Sequence, residues 1–176
     1  MKNDLLKTRG GRLEFDGCDL VELAREYGTP LYLMSETSIQ SRITELKASF
    51  LSRHENVEAA YASKAFQTLD MLRIVRDAGI LLDVVSGGEL FAAERARIPG
   101  ERILFHGNAK TREELAMAVE LGAGRIVVDN LSELYALDEI SRAEGKRTPI
   151  LFRITPGVDS HTHEKISTCT IDSKFG

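Results

Sequence analysis

A lysine stands at Lys64 in the stretch "YASKAF", its stem flanked by Ala62, Ser63 and Ala65. An amine among small neighbours can be approached closely by a flat ring. It can also condense with a carbonyl carbon when burial and nearby cations free it of its proton. The alternative reading is a strand-end charge reaching for solvent. Other reactive side chains close apolar runs in the same way. They are Asp83 in "LLDVVSGGE", His106 and Asn108 in "ILFHGNAK", Asp129 in "RIVVDN" and Arg153 in "ILFRIT", with His161 and His163 just beyond in "DSHTHEK". That set is unusually polar for the ends of such apolar runs.

Each candidate has a structural alternative. Asp83 precedes "SGG", so it is either a site acid or a turn-stabilising aspartate. Arg153, flanked by apolar residues on both sides, calls for an internal polar partner, and Asp83 is one candidate for that pairing. His161 and His163, two residues apart, share a face if the segment is extended. Two histidines without a third ligand make a poor zinc site, so no metal is expected.

The elements that must position these residues follow from periodicity. "DLVELAREYG" sets Leu20, Leu23, Ala24 and Tyr27 at helical spacing, with Asp19 as N-cap and Gly28 as stop. "TPLYLMS" reads as a short edge strand. "SETSIQSRITELKASFLSR" reads as an amphipathic helix capped by Ser35, with Ile39, Ile43, Leu46 and Phe50 on one face. From Val57 on, the apolar runs "VEAAYA", "ILLDVVS", "RILFHG", "GRIVVD" and "PILFRIT" alternate with helical patterns at 66–78, 88–96, 111–121 and 131–144. The runs begin roughly every 22 to 25 residues, the spacing of βα units.

Near-continuous apolar strands alternating with helices predict an α/β fold with a parallel sheet covered on both faces. Five units at nearly constant pitch fit a (β/α)8 TIM-type barrel, whose active site lies at the C-terminal strand ends where the residues above fall. A doubly wound sheet is the alternative, although GxGxxG is absent after the first strand and "SGGE" is a weak substitute. A barrel needs eight units and about five are present, so the chain reads as the front part of something larger.

Composition narrows the function classes. The 176 residues are 43% hydrophobic and 28% charged, with 23 basic against 27 acidic residues and a formal charge of −4. That mild acidity, with no basic block, argues against nucleic acid as a partner. No run approaches the roughly 18 apolar residues of a membrane span. Cys18 and Cys169 are far apart and in no CxxC spacing, and "MKNDLLKTRGGRLEF" has no apolar signal core. Free thiols and a cytoplasmic protein are expected.

Five blocks in order, "YASKAF", "LDVVSGGEL", "FHGNAK", "RITPGVDSHTHEKIST" and "DSKFG", resemble the N-terminal part of the diaminopimelate decarboxylase family. These are alanine-racemase-like barrel enzymes of fold type III that use pyridoxal 5'-phosphate. The resemblance runs from about Asp16 to Gly176, and "HTHEKIST…DSKFG" separates it from ornithine and arginine decarboxylases. It implies a carboxy-lyase in lysine biosynthesis converting meso-2,6-diaminopimelate to L-lysine and CO2. Lys64 would then be the lysine that bonds to the cofactor and assists proton transfer, with Asp83 and Arg153 as cofactor-site residues. His106 and Asn108 would supply wall, and His161 and His163 would lie near the active-site mouth and subunit interface.

The resemblance further implies residues 1–35 as a prelude packing with a C-terminal β-domain, 36–176 as barrel, and a homodimer taking an amino-acid substrate. The ring-stacking histidine, the phosphate loop and the acid on the ring nitrogen would all lie past Gly176, so these 176 residues alone are expected to be inactive. Cys169 departs from the small residue usual after "IST", which puts the shape of that loop in question. The alternatives are another basic amino-acid or polyamine-precursor decarboxylase of the same fold, an amino-acid racemase, or a non-catalytic pyridoxal phosphate module or inactive fragment.

Overall fold

Side chains that accept hydrogen bonds from first-turn N–H groups set where helices begin. Asp19, Ser35, Thr68, Ser86, Thr111 and Asn130 all do this. The computed structural model describes residues 5–157, and the chain divides between Glu55 and Asn56 into two units.

The first unit opens with an antiparallel sheet of β1 (Leu6–Arg9), β2 (Arg12–Phe15) and β3 (Cys18–Asp19), in that order. Its two turns are Gly10-Gly11 and Asp16-Gly17, and all four residues have positive φ, as two-residue hairpins of right-handed twist require. The sequence reading missed this sheet. Helix α1 (Leu20–Tyr27) runs from the Asp19 cap to Gly28, as predicted, and α2 (Glu36–Ser49) starts from the Ser35 cap. The edge strand predicted in "TPLYLMS" does not form. Those residues find no strand to pair with among the described ones, and the stretch ends with the Ser35 hydroxyl donating to Asp16 Oδ2 at 2.6 Å.

The second unit alternates strand and helix. β4 (Ala60–Ala62), α3 (Leu69–Asp77), β5 (Leu81–Val84), α4 (Gly87–Arg95) and β6 (Ile103–Phe105) come first. α5 (Arg112–Leu121), β7 (Arg125–Val128), α6 (Leu131–Ala143) and β8 (Ile150–Phe152) follow. All five strands are parallel, and their order in the sheet is their order in the chain. A doubly wound sheet reverses direction at a switch point, so this order sets that alternative aside. Right-handed crossovers in one direction put every helix on the same face, which is the barrel arrangement. Consecutive helices pack on each other, α3 on α4, α4 on α5 and α5 on α6.

The pleat separates two faces. Leu82, Val84, Ile103, Phe105, Ile126 and Val128 turn to the helices and are at most 1% exposed. The other face carries Asp83 and Val127 and, at the edge strand, Leu151, which is 47% exposed. The helix-side face is therefore the core, and the polar residues ride on its reverse.

One local device recurs. Helices α4, α5 and α6 each start with a capping residue followed three positions later by glutamate: Ser86–Glu89, Thr111–Glu114 and Asn130–Glu133. Such a glutamate can close a capping box on its own helix. Glu114 does so, and here each of the three reaches back to the preceding unit. Glu89 Oε2 accepts from the Ser63 hydroxyl at 2.6 Å, Glu114 Oε1 from the Gly87 amide at 2.7 Å, and Glu133 Oε1 from Lys110 Nζ at 2.7 Å.

Candidate functional site

Parallel strands in sequential order bring all their C-terminal ends to one edge, and the polar residues gather there. A cavity of about 450 Å³ opens at that edge, within the size range of small-molecule sites. Lys64, Asp83, His106, Asn108 and Arg153 all line it, together with Val85, Gly107 and Val127. Five residues singled out from sequence thus face one space. His161, His163 and Cys169 lie outside the described residues.

Lys64 sits in a single turn of 3-10 helix, Ser63–Ala65, directly after β4. Three hydrogen bonds fix that turn. The Phe66 amide donates to Ser63 O at 3.1 Å, and the Tyr61 hydroxyl donates to Phe66 O at 2.7 Å. The fully buried Ser63 hydroxyl stands 2.6 Å from Glu89 Oε2 and 2.9 Å from Asp83 O. Glu89 Oε2 also accepts from the Val85 amide at 2.9 Å, tying the lysine turn to the end of β5. Burial pushes the Tyr61 phenol up, so it stays a hydrogen-bond donor throughout the neutral range. Lys64 itself is exposed, and among the described residues its amine has no hydrogen bond or ion pair.

The pairing expected between Asp83 and Arg153 is not what the structure has. Asp83 Oδ1 lies 2.6 Å from His106 Nδ1, and Arg153 Nε lies 3.8 Å from Asp129 Oδ1. The physical reason is neighbourhood in the sheet. β5 pairs with β6, which His106 follows directly, whereas Arg153 follows β8 and Asp129 follows the adjacent strand β7. The His106 amide donates to Val84 O at 2.8 Å and the Arg153 amide to Val128 O at 2.9 Å, so both side chains leave the sheet at fixed registers. Asp83 Oδ1 is buried and accepts no in-line hydrogen bond, so it meets His106 by proximity alone. Nor is Asp83 the turn cap of the alternative reading, since Ser86 holds that place.

Sequence reasoning passed over four residues that hold the site from behind: Ser63, Glu89, Lys110 and Glu133. The Lys110 side chain is 1% exposed, with its Nζ donating to Gly107 O at 2.6 Å, Val127 O at 2.7 Å and Glu133 Oε1 at 2.7 Å. The signal that could have found the glutamates is the pattern of a capping residue and glutamate three apart in "SGGE", "TREE" and "NLSE". Among the described residues no group of three or more His, Cys, Asp and Glu could hold a metal ion.

A family model described as "Pyridoxal-dependent decarboxylase, pyridoxal binding domain" matches residues 36–176. The chain is 48% identical over 170 residues to the diaminopimelate decarboxylase of Bacillus subtilis, covering 97% of this chain and 39% of that protein. A crystal structure of the Methanocaldococcus jannaschii diaminopimelate decarboxylase in complex with L-lysine superposes with a TM-score of 0.87 at 39% identity, covering 99% of this chain and 41% of that one. The Helicobacter pylori diaminopimelate decarboxylase, also complexed with L-lysine, gives 0.81 at 31% identity, covering 89% of this chain and 39% of that one. The chain therefore spans about two fifths of the length of these relatives.

Proposed function

The chain belongs to the pyridoxal-dependent decarboxylases, in their pyridoxal-binding domain, and on that premise we propose that it is the N-terminal part of a diaminopimelate decarboxylase. The reaction proposed for the whole protein removes one carboxylate of meso-2,6-diaminopimelate as CO2 and leaves L-lysine. The observation that carries the reading is the cavity at the strand ends, where β4, β5, β6 and β8 deliver Lys64, Asp83, His106 and Arg153 to one space. The named relatives are decarboxylases of that substrate, two of them with L-lysine bound, which supports the choice over other basic amino acids.

The residues present fit pyridoxal phosphate. Lys64 offers an amine with no competing partner among the described residues, flanked by small side chains. Gly107 lines the cavity where a Cβ would press on Val85 O at 2.9 Å, so the wall admits no side chain there. Asp83 Oδ1 is buried without an in-line donor. In this reading Lys64 holds the cofactor through its amine, while Asp83 and Arg153 place charge beside it. When bound, pyridoxal phosphate supplies the electron sink that carbon–carboxylate cleavage needs.

The chain's own residues do the rest. The Lys64 amine takes up or returns a proton beside the reacting carbon. The Ser63–Glu89 contact and the Tyr61 hydrogen bond keep that amine at the end of β4. The Arg153 guanidinium offers positive charge to an anionic group of cofactor or substrate, and the His106–Asp83 pair forms one wall. Action in the cytoplasm as a homodimer, with residues 36–176 as barrel and 1–35 as prelude, belongs to the same proposal. No helix among the described residues is long and apolar enough to cross a membrane.

The test uses the full-length protein. Incubated with pyridoxal phosphate and a panel of meso-2,6-diaminopimelate, ornithine, arginine and lysine, it should release CO2 from the first with the highest kcat/KM. Lys64→Ala should abolish turnover and the absorbance of the lysine-bound cofactor. Faster turnover of ornithine or arginine would replace the substrate assignment, and full activity in Lys64→Ala would end the assignment of the lysine.

A further inference from the structure

Lys110 is a charge placed where charges are costly. Its ammonium is all but inaccessible, and its partner Glu133 is 4% exposed, with Glu133 Oε2 buried and unpartnered among the described residues. Replacing such a pair by apolar side chains is often neutral or stabilising, so folding alone gives weak reason to keep it. Its geometry supplies another reason. An ammonium has three donors, and each one is used, on Gly107 O, Val127 O and Glu133 Oε1 at 2.6 to 2.7 Å. Two of those carbonyls belong to residues that line the cavity, and the third partner belongs to α6. Gly107 lies between His106 and Asn108, both cavity residues, so a bond to its carbonyl holds the turn that carries them. The Phe105 ring, 5.5 Å from Nζ, completes the enclosure.

We propose that Lys110 is a positioning residue for the site: its ammonium clamps the His106–Asn108 turn to the end of β7 and to α6, and so holds His106 against Asp83 beside Lys64. The proposal rests on reading the cavity as the pyridoxal phosphate site. A neutral side chain would fill the same space but supply no convergent donors. An arginine fork would not reproduce three donors on one nitrogen.

The test separates positioning from folding by removing both charges at once, Lys110→Met with Glu133→Leu, in the full-length protein. Four quantities are read: the denaturation midpoint, the Kd for pyridoxal phosphate by absorbance titration, the pH titration of the His106 ring by NMR, and kcat/KM. His106 faces Asp83, Lys64 and Arg153 in the cavity, so its titration reports their placement. The expected result is a midpoint close to the parent's, a shifted His106 titration, a raised Kd, and kcat/KM lower by up to about a hundredfold, the loss that a misplacement of an ångström can cause. A parent-like midpoint with unchanged His106 titration and unchanged Kd overturns the proposal. If the double variant does not fold, Lys110→Gln with Glu133→Gln removes both charges, keeps a polar pair in the same space and withdraws the three donors converging from one nitrogen. A shifted His106 titration in that variant supports positioning, and an unshifted one overturns it. If the parent itself fails to bind pyridoxal phosphate, the functional reading fails, while the His106 titration still decides the role of Lys110.

Discussion

Gly107→Ala should be the most informative single substitution in the cavity wall. The residue has a φ of +102°, and a Cβ added there meets Val85 O at 2.9 Å, Val85 C at 3.6 Å and Val85 Cα at 3.7 Å. The left-handed backbone alone costs a residue with a Cβ about 1–2 kcal/mol. The contact adds the cost of overpacking, about 1–3 kcal/mol, because the obstruction is backbone at the end of β5 and has no rotamer to turn aside. Gly122→Ala is the matched control. Its glycine caps α5 at φ 70° and ψ 44° with nothing within 4 Å of the added Cβ, so it bears only the backbone cost. Denaturant titration of full-length variants, followed by circular dichroism at equal m-values, should put Gly107→Ala lower by about 1–3 kcal/mol, the overpacking cost by itself. Gly107→Ala should also weaken pyridoxal phosphate binding, because the displaced turn carries His106 and Asn108, whereas Gly122→Ala should not. Equal stabilities for the two variants would refute the clash, and unchanged cofactor affinity in Gly107→Ala would refute its place in the wall.

Other outcomes follow from single contacts. Ser63→Ala removes a hydroxyl whose shorter contact is to the Glu89 carboxylate, so stability should drop by about 1.5–3 kcal/mol, with a fall in kcat as the Lys64 turn loosens. In the first unit, hydrogen bonding from the Arg12 side chain, aided by the Glu22 and Val21 amides, holds the Asp19 carboxyl below the usual carboxylate range. A depressed folded pKa means that this cap's contribution is complete above the unfolded carboxylate pKa and is lost as pH falls through the lower folded value. Arg12→Gln should move that loss to higher pH, read from the Asp19 carboxyl shift and amide exchange at Val21. An unmoved midpoint would show that the amides alone set it.

Much of the second unit was legible because each strand is a nearly continuous apolar run and each helix has a capping residue at its start. The helix predicted over 66–78 begins only at Leu69, because Ser63–Ala65 forms a 3-10 turn and Thr68 takes the cap. The strand predicted from Val57 begins at Ala60, while Val57 stays 39% exposed and Glu58 goes to an ion pair with Arg102. The N-terminal sheet escaped because "KTRGGRLEF" has little apolar alternation. Its evidence was in the turns, where Gly-Gly and Asp-Gly are the dipeptides that two-residue hairpins favour. In the site, Lys64, Asp83, His106, Asn108 and Arg153 were visible as polar residues closing apolar runs. Their partners were not, because pairing depends on which strands are neighbours. Arg153 meets Asp129 and Asp83 meets His106 through adjacency in the sheet, which no spacing along the chain displays. Lys110 and Glu133 were hidden for a related reason: a lysine in a loop and a glutamate in a first helical turn are ordinary surface residues until the fold closes over them.

The sequential strand order also bears on how the protein comes into being. Residues paired across neighbouring strands are 21 apart at Ala60↔Leu81, Leu82↔Ile103 and Leu104↔Arg125, and 24 apart at Ile126↔Ile150. Every pairing therefore closes a loop of nearly the same length and nearly the same entropic cost. On a ribosome adding about 5–20 residues per second, one such repeat emerges every few seconds. Each of β5, β6 and β7 pairs with a strand made before it, and the glutamate at the start of the helix that follows ties it to the preceding unit. Lys64 is synthesised first; the wall around it is laid down one course at a time, with Arg153 the last made of the described residues that line the cavity.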